Sequence, residues 1–348
     1  MSQQEPKYIN VFKLGRIEDM LEVKNLSKEF KLNKKYEGLS GTFKAFFSKE
    51  HTIKRAVDDL SFQVNDGEMV GYIGLNGAGK STTIKMLTGL MVPTSGECVV
   101  NGYIPHKDRK MYTKNIGVVF GNRSQLWWDL PVAESYSVLQ RIYEIPEKQF
   151  KERLGYLKGV LDINDFYLTP VRNLSLGQKM RADLVASLLH NPAVLFLDEP
   201  TIGLDILVKD KIRKALRKIN EETQTTVMLT THDLDDIEAV CDRIIVIDKG
   251  KKIFDGKLDE LKNSYGKTRM VALDASEDTV LNFNEVEGLN KDYISAEKAE
   301  QGKWLVKFDK DNILLPELMQ HIVTNYTVKD FTVIEPQLED IIKEIYRD

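Results

Sequence analysis

Cysteine is scarce. The 348 residues hold two, Cys98 and Cys241, far apart and without a partner at metal-ligand spacing. That excludes a disulfide framework and a cysteine-held zinc site, and fits a reducing compartment. Long apolar runs are missing too: none reaches the roughly 18 to 20 residues that cross a bilayer. Residues 1–20 are polar and mixed in charge with no apolar h-region, so they read as a loosely ordered tail rather than a signal peptide. Neither sign of charge is in excess: 49 Lys and Arg face 53 Asp and Glu, for a formal net charge of −4. Nothing global therefore suggests a nucleic-acid partner. Internal repeats, low-complexity tracts and sustained heptads are absent as well. Any service to a membrane is expected from its cytosolic face, through the helices of other subunits.

What is present is an ordinary globular composition, 42% hydrophobic and 29% charged, in a chain long enough for one large core and a smaller appended domain. Strand signals at 21–23, 56–65, 69–73, 193–197, 226–231 and 243–247 alternate with helix signals at 81–90 and 207–222. The run 69–73 is apolar enough to be a central strand, and Asp66-Gly67 before it is a hairpin-type turn. Residues 122–191 read as mostly helical, with Trp127, Trp128, Leu139, Ile142, Leu154, Leu157 and Leu161 at helix-like spacing, until Pro192 stops the run. Such alternation predicts an α/β domain with a largely parallel sheet. After residue 267 the character changes. Strand-like pieces at 268–273, 304–308 and 328–334 alternate with helical pieces at 314–323 and 338–346, a small α+β domain with no catalytic motif. A basic stretch, 31–54, carries Leu39, Phe43, Phe46 and Phe47 at helical spacing. It reads either as a helix packed on the domain's own flank or as a membrane-surface or permease-docking helix.

The strongest chemical signal is Gly74-Leu75-Asn76-Gly77-Ala78-Gly79-Lys80-Ser81, which fits G-x-x-x-x-G-K-[ST] at every fixed position. Glycines let backbone N–H groups turn inward around phosphates, and the following helix aims its positive end at them. Lys80 supplies a point charge to the outer phosphates, and Ser81 offers a hydroxyl to Mg²⁺. Asp198 ends a buried strand, where a carboxylate holds the metal. Glu199 follows directly and can polarise the attacking water.

Many nucleotide hydrolases share those two motifs. The stretch Asn173-Leu174-Ser175-Leu176-Gly177-Gln178, just upstream of the second one, narrows the choice. It resembles the LSGGQ signature of the ATP-binding cassette (ABC) proteins, with Leu176 in place of the first glycine. Ser175 and Gln178 also form a capping box, so these residues alone leave open a plain helix start. The resemblance implies a P-loop α/β fold over 21–262: a RecA-like mixed sheet, an antiparallel β-subdomain, and a helical subdomain at about 122–191. It implies ATP and Mg²⁺ as ligands and a pair of subunits facing head to tail. Asn76, Gly77, Ala78, Gly79, Lys80, Ser81 and Thr82 would cradle the phosphates, while Ser175, Gly177 and Gln178 would reach the γ-phosphate held by the other subunit. Thr201-Ile202-Gly203-Leu204-Asp205 looks like the D-loop, with Asp205 at the seam between subunits. Glu199 would orient water, Ser81 and Asp198 would hold the metal, and His232 matches the histidine that senses the γ-phosphate. Phe30 falls where the family stacks an aromatic on adenine.

One departure matters. The family's glutamine that touches the metal and links nucleotide to permease is here Asn122, counted back from Leu130-Pro131. Either Asn122 reaches through adjusted backbone or water, or Gln125 substitutes. Beside it, Gln125-Leu126-Trp127-Trp128-Asp129-Leu130 is either core packing or a socket for a permease's cytosolic helix. The appended domain, 268–348, and its ending Glu335-Pro336-Gln337-Leu338-Glu339-Asp340 are similar to the drug- and polysaccharide-exporter branch, where permeases are separate polypeptides. It reads as an accessory or dimerisation domain. Cassette proteins of DNA repair need coiled-coil or zinc inserts, and those of translation carry two cassettes; neither pattern occurs. The expectation is thus an ATPase subunit at the cytoplasmic face of a membrane, paired with a second cassette and separate permeases.

Overall fold

A computed structural model of the chain describes residues 19–33, 51–121, 123–275, 280–281, 283, 291–299 and 303–346. The chain divides into two compact units, Met1–Asp255 and Gly256–Asp348. The aromatic stretch 39–47 and Asn122 lie outside the described residues.

In chain order the first unit runs β1 (Asp19–Asn33), β2 (His51–Asn65), β3 (Met69–Gly74), α1 (Lys80–Leu87), β4 (Ser95–Val100), α2 (Arg109–Tyr112), β5 (Ile116–Phe120), α3 (Val132–Ile142), α4 (Glu147–Val160), α5 (Leu176–Leu188), β6 (Val194–Asp198), α6 (Ile206–Thr223), β7 (Thr226–Thr230), α7 (Leu234–Val240), β8 (Arg243–Asp248) and β9 (Lys251–Lys257). Two sheets result. Strands β2-β1-β4 form an antiparallel sheet, and β5-β6-β7-β3-β8-β9 form a six-stranded one. In the latter, β5 with β6, β6 with β7, β7 with β3 and β3 with β8 are all parallel. Strand β9 returns beside β8 after the two-residue Lys249-Gly250 turn, a connection too short for a parallel crossover. The α/β expectation therefore holds, and β3 is central as its unbroken apolar run predicts, because a strand covered on both faces has no polar side to show.

Helix α1 packs between the two sheets. Ile84, Met86 and Leu87 share one core with Leu21, Val23 and Leu26 of β1, Leu60 and Phe62 of β2, Tyr72 of β3 and Phe196 of β6. This core clamps the start of α1, and with it the phosphate loop, to two sheets at once. The Asp66-Gly67 turn is not a hairpin: β2 and β3 belong to different sheets, and the turn carries the chain between them. Gly67 has φ 73, and its N–H donates to Thr226 Oγ1 at 2.8 Å. Trp127 and Trp128 lie ahead of α3 rather than on a helix, 39% and 58% exposed, while neighbouring Leu126 is buried. Core packing thus accounts for the leucine and not for the indole rings.

The second unit comprises α8 (Leu258–Tyr265), β10 (Thr268–Ala275), β11 (Ile294–Lys298), β12 (Lys303–Asp309), α9 (Leu315–Asn325), β13 (Val328–Ile334) and α10 (Leu338–Ile345). Its antiparallel sheet has the order β11-β12-β10-β13. Val271, Leu273, Val306 and Phe308 alternate onto one face and pack with Leu318 and Ile322 of α9. Strand β11 escapes the sequence reading because Ile294 is its only buried side chain.

Candidate functional site

The site begins where the central strand stops. Gly74 ends β3, Lys80 opens α1, and the loop between them emerges at the carboxyl edge of the parallel sheet. Gly79 has φ 111, and a Cβ there would come within 2.4 Å of the Ala56 carbonyl oxygen; conformation and space both require glycine. No side chain caps α1, so its first N–H groups are left for an anion. The Lys80 side chain folds back over the loop, 8% exposed, with Nζ donating to Gly74 O at 2.5 Å. Burial pushes its pKa down, while the Glu199 and Asp198 carboxylates push it back up. An ammonium so placed, with only carbonyl oxygens as direct partners, gains strongly from an incoming phosphate.

Two acids face it from the end of β6. Asp198 Oδ1 accepts from the buried Thr230 hydroxyl at 2.6 Å, which fixes the carboxylate and leaves its other oxygen available. Glu199 is held in the left-handed region, φ 56, a conformation that costs a non-glycine residue about 1 kcal/mol or more. Its amide donates to Thr230 O at 2.9 Å. Its Oε2 lies 2.7 Å from His232 Nδ1 and accepts from the His232 amide at 3.3 Å. The acid and the histidine therefore form a hydrogen-bonded pair. Gly121 approaches this pair from β5: its N–H donates to Asp198 O at 2.8 Å, and a Cβ on it would lie 2.0 Å from Glu199 O.

Phe30, Asn76, Gly77, Gly79, Lys80, Ser81, Thr82, Glu199 and His232 line one cavity of about 810 Å³, together with Lys54, Ala56, Leu75 and Ile202. Nine of the residues singled out in the sequence are thus brought to one cavity. Phe30 reaches it from β1, opposite Lys54 of β2. Ala78 is buried behind the loop. Ser175, Gly177, Gln178 and Asp205 do not line this cavity. Ser175 and Gln178 make the reciprocal capping box at the start of α5, with Ser175 Oγ accepting from Gln178 N at 3.2 Å and Gln178 Oε1 from Ser175 N at 2.9 Å. Gly177 is buried, and a Cβ on it would meet Val208 Cγ1 at 2.9 Å. Asp205 caps α6, accepting from Val208 N at 3.0 Å. Ser175 and Asp205 are both exposed.

Among the described residues no group of three or more His, Cys, Asp and Glu could hold a metal ion. The donors present, an exposed Ser81 hydroxyl and the free oxygen of Asp198, suit Mg²⁺, which takes one or two protein ligands and fills the rest with phosphate and water. Gln125, the alternative to Asn122, is committed elsewhere: its Nε2 donates to Asp183 O at 2.9 Å.

That contact belongs to a buried network that the sequence reading missed. Asp183 on α5 is 4% exposed, and its Oδ1 accepts from Ser124 Oγ and Gln125 N, both at 3.0 Å. It pins the loop after β5 to the helical subdomain. Burial pushes its pKa up to about 6, from 3.8. The native state therefore holds this proton more tightly than the unfolded chain between about pH 4 and 6. Its contribution to stability falls as pH rises through that window, by on the order of 3 kcal/mol in full. His190, pushed down to about 4 by burial, has the opposite slope, so a difference measurement is needed. Asp183→Asn should gain stability relative to the unmodified protein as pH rises from 4 to 6, read as a growing difference in urea midpoint. A difference constant across that range would refute the assignment.

Comparison with known proteins agrees with this geometry. Residues 57–202 match the family described as ABC transporter, and residues 256–346 match the family described as ATP-binding protein DrrA1-3-like, C-terminal domain. The chain is 30% identical over 218 residues to the ABC transporter ATP-binding protein NatA of Bacillus subtilis, covering 63% of this chain and 88% of that one. It is 32% identical over 228 residues to the linearmycin resistance ATP-binding protein LnrL of the same organism, covering 66% and 73%. Among solved structures it is similar to a dimeric post-hydrolysis state of the ATP-binding cassette MJ0796 bound to ADP and Pi, with TM-score 0.57, 26% identity, and coverage of 69% of this chain and 99% of that one. A strand-borne phosphate loop, a paired acid and histidine across one cavity, and these likenesses lead to one conclusion: the chain belongs to the ATP-binding subunits of the ABC transporters, and is an ATPase.

Proposed function

We propose that two copies of this chain close head to tail around two Mg·ATP and drive separate membrane permeases, in the direction of export. Lys80 and the loop amides take the phosphates, and Phe30 stacks on the adenine. Ser81 and Asp198 hold Mg²⁺, and Asn122, which stands in the sequence where the family has its metal-touching glutamine, serves the same ion; when bound, the metal offsets charge on the outer phosphates. Glu199 orients the attacking water while His232 holds the γ-phosphate. Ser175, Gly177 and Gln178 of one copy complete the cavity of the other, with Asp205 at the seam.

The observation that carries the two-copy reading is that Ser175 and Asp205 are exposed and do not line the phosphate-loop cavity. Exposed Trp127 and Trp128, next to the buried Leu126 anchor, support a permease contact on the same loop. Among the described residues no helix is long and apolar enough to cross a membrane; the likeness to ABC transporter ATP-binding proteins supports assigning the translocation path to other subunits and this chain to the cytoplasmic surface. The likeness to LnrL, named for linearmycin resistance, and to the DrrA-type C-terminal domain supports export and an accessory role for residues 268–348.

Complementation tests the composite site. Lys80→Ala and Ser175→Arg should each abolish phosphate release. Mixed in equal amounts, they should recover about a quarter of unmodified turnover, since each mixed pair keeps one site with both halves intact. A mixture as inactive as its parts would overturn the head-to-tail arrangement.

A further inference from the structure

Behind the Glu199–His232 pair lies a carboxylate that touches neither. Asp236, on α7, is 1% exposed. Its Oδ2 accepts from Thr201 Oγ1 and, at 3.3 Å, from Thr231 Oγ1. Its Oδ1 accepts from Arg213 Nε and lies 2.5 Å from Arg213 Nη2. Thr201 and Thr231 are buried, 4% and 1% exposed, and the Arg213 side chain is 17% exposed. Each lobe of the carboxylate is therefore satisfied, as a buried charge requires.

The three partners come from three segments, and each segment carries a residue of the site. Thr201 lies two residues after Glu199, in the turn that leads to Asp205. Thr231 immediately precedes His232. Arg213 lies on α6, whose first turn Asp205 caps. The same helix is tied a second time to the segment after His232, through the Lys209–Asp233 ion pair and Arg213 Nη2 at 3.6 Å from Asp233 Oδ1. Asp233 N in turn donates to Thr231 Oγ1 at 3.0 Å. Helix α6 is thus linked to the turn after Glu199 through Asp236, and to the strand end before His232 through both Asp236 and Asp233.

We infer that Asp236 is a positioning residue that couples contact with the second copy at Asp205 to the alignment of Glu199 with His232. The inference rests on the reading of Glu199, His232 and the paired cassettes given above. Asp236 touches no substrate; it holds the turn after Glu199 and the strand end before His232 in one frame, so that the acid is aligned when α6 is seated against a partner.

Thr201 gives the cleanest test, because Thr201→Val keeps the shape and removes only the hydroxyl that binds Asp236. With the full chain and Mg·ATP, Thr201→Val should lower kcat at least about tenfold, the scale of a sub-ångström misalignment, with KM for ATP within about twofold. Thr201→Ser should restore most of the turnover. Asp236→Asn should fall to a similar level, and the double variant should fall no further, since the two act through one contact. Unchanged kcat in Thr201→Val, failure of Thr201→Ser to restore it, or additive losses in the double variant would overturn the coupling. Glu199→Gln is assayed alongside. If it turns over normally, the reading of Glu199 itself fails; if it is inactive while Thr201→Val is normal, only the coupling fails. Should Asp236→Asn not fold, the Val and Ser variants of Thr201 decide alone.

Discussion

Glu199→Gln is expected to stop steady-state hydrolysis, lowering kcat at least about a hundredfold, the scale set by loss of a positioned general base, while leaving ATP bound. The amide keeps the length and planarity of the side chain and cannot accept a proton from water. Lys80, Ser81 and the loop amides are untouched by the change, so the ground state forms normally and accumulates. On a sizing column with Mg·ATP the variant should run as a stable pair of chains, and without nucleotide as single chains. The present geometry favours this outcome because Glu199 is held from both sides: its amide on Thr230 O and its carboxylate against His232. Normal turnover by the variant would remove Glu199 from the chemistry.

Gly121→Ala should have the second-largest effect, although no motif includes this residue. A Cβ there would sit 2.0 Å from Glu199 O and 3.1 Å from Ile202 Cγ2. The first contact is with backbone, so no rotamer relieves it, and the backbone that must yield is already in the left-handed region. A shift of 1 Å at Glu199 is worth on the order of a hundredfold in rate. The expected result is a loss in kcat of that order with ATP binding nearly intact, and a loss of about 1–3 kcal/mol in stability, the range for overpacking a filled interior. Unchanged turnover in a folded Gly121→Ala protein would show that the loop after β5 does not set the position of Glu199.

These two residues mark what the sequence discloses and what it withholds. Lys80, Asp198 and Glu199 are legible because their chemistry needs a fixed spacing on consecutive residues. The strand before the loop is legible because burial on both faces leaves Met69-Val70-Gly71-Tyr72-Ile73 without a polar residue. Gly121, Thr230, Asp183 and Asp236 are not legible in that way. Each acts across more than 30 residues of sequence, on Glu199, Asp198, Gln125 and Thr201 respectively, and a single side chain carries no period to read. Glycine between a strand and a polar loop was the one available signal, and it marks a close approach without naming what approaches. Ser175 and Gln178 show the converse: the capping box is formed as the spacing predicts, yet helix capping and the proposed presentation to a second copy call on the same residues, so the local pattern alone does not separate them. Asp66-Gly67 shows how a correct turn signal misleads about pairing, since turn chemistry fixes the bend and only the sheet decides which strands become neighbours.

The central claim, that this ATPase is a transporter motor, is tested most directly by measuring phosphate release from the purified chain alone and again in vesicles holding membrane permeases that co-purify with it. The account predicts turnover that rises when the permeases are present, and rises less when Trp127 and Trp128 are replaced by alanine. The same turnover with and without any membrane partner would contradict it.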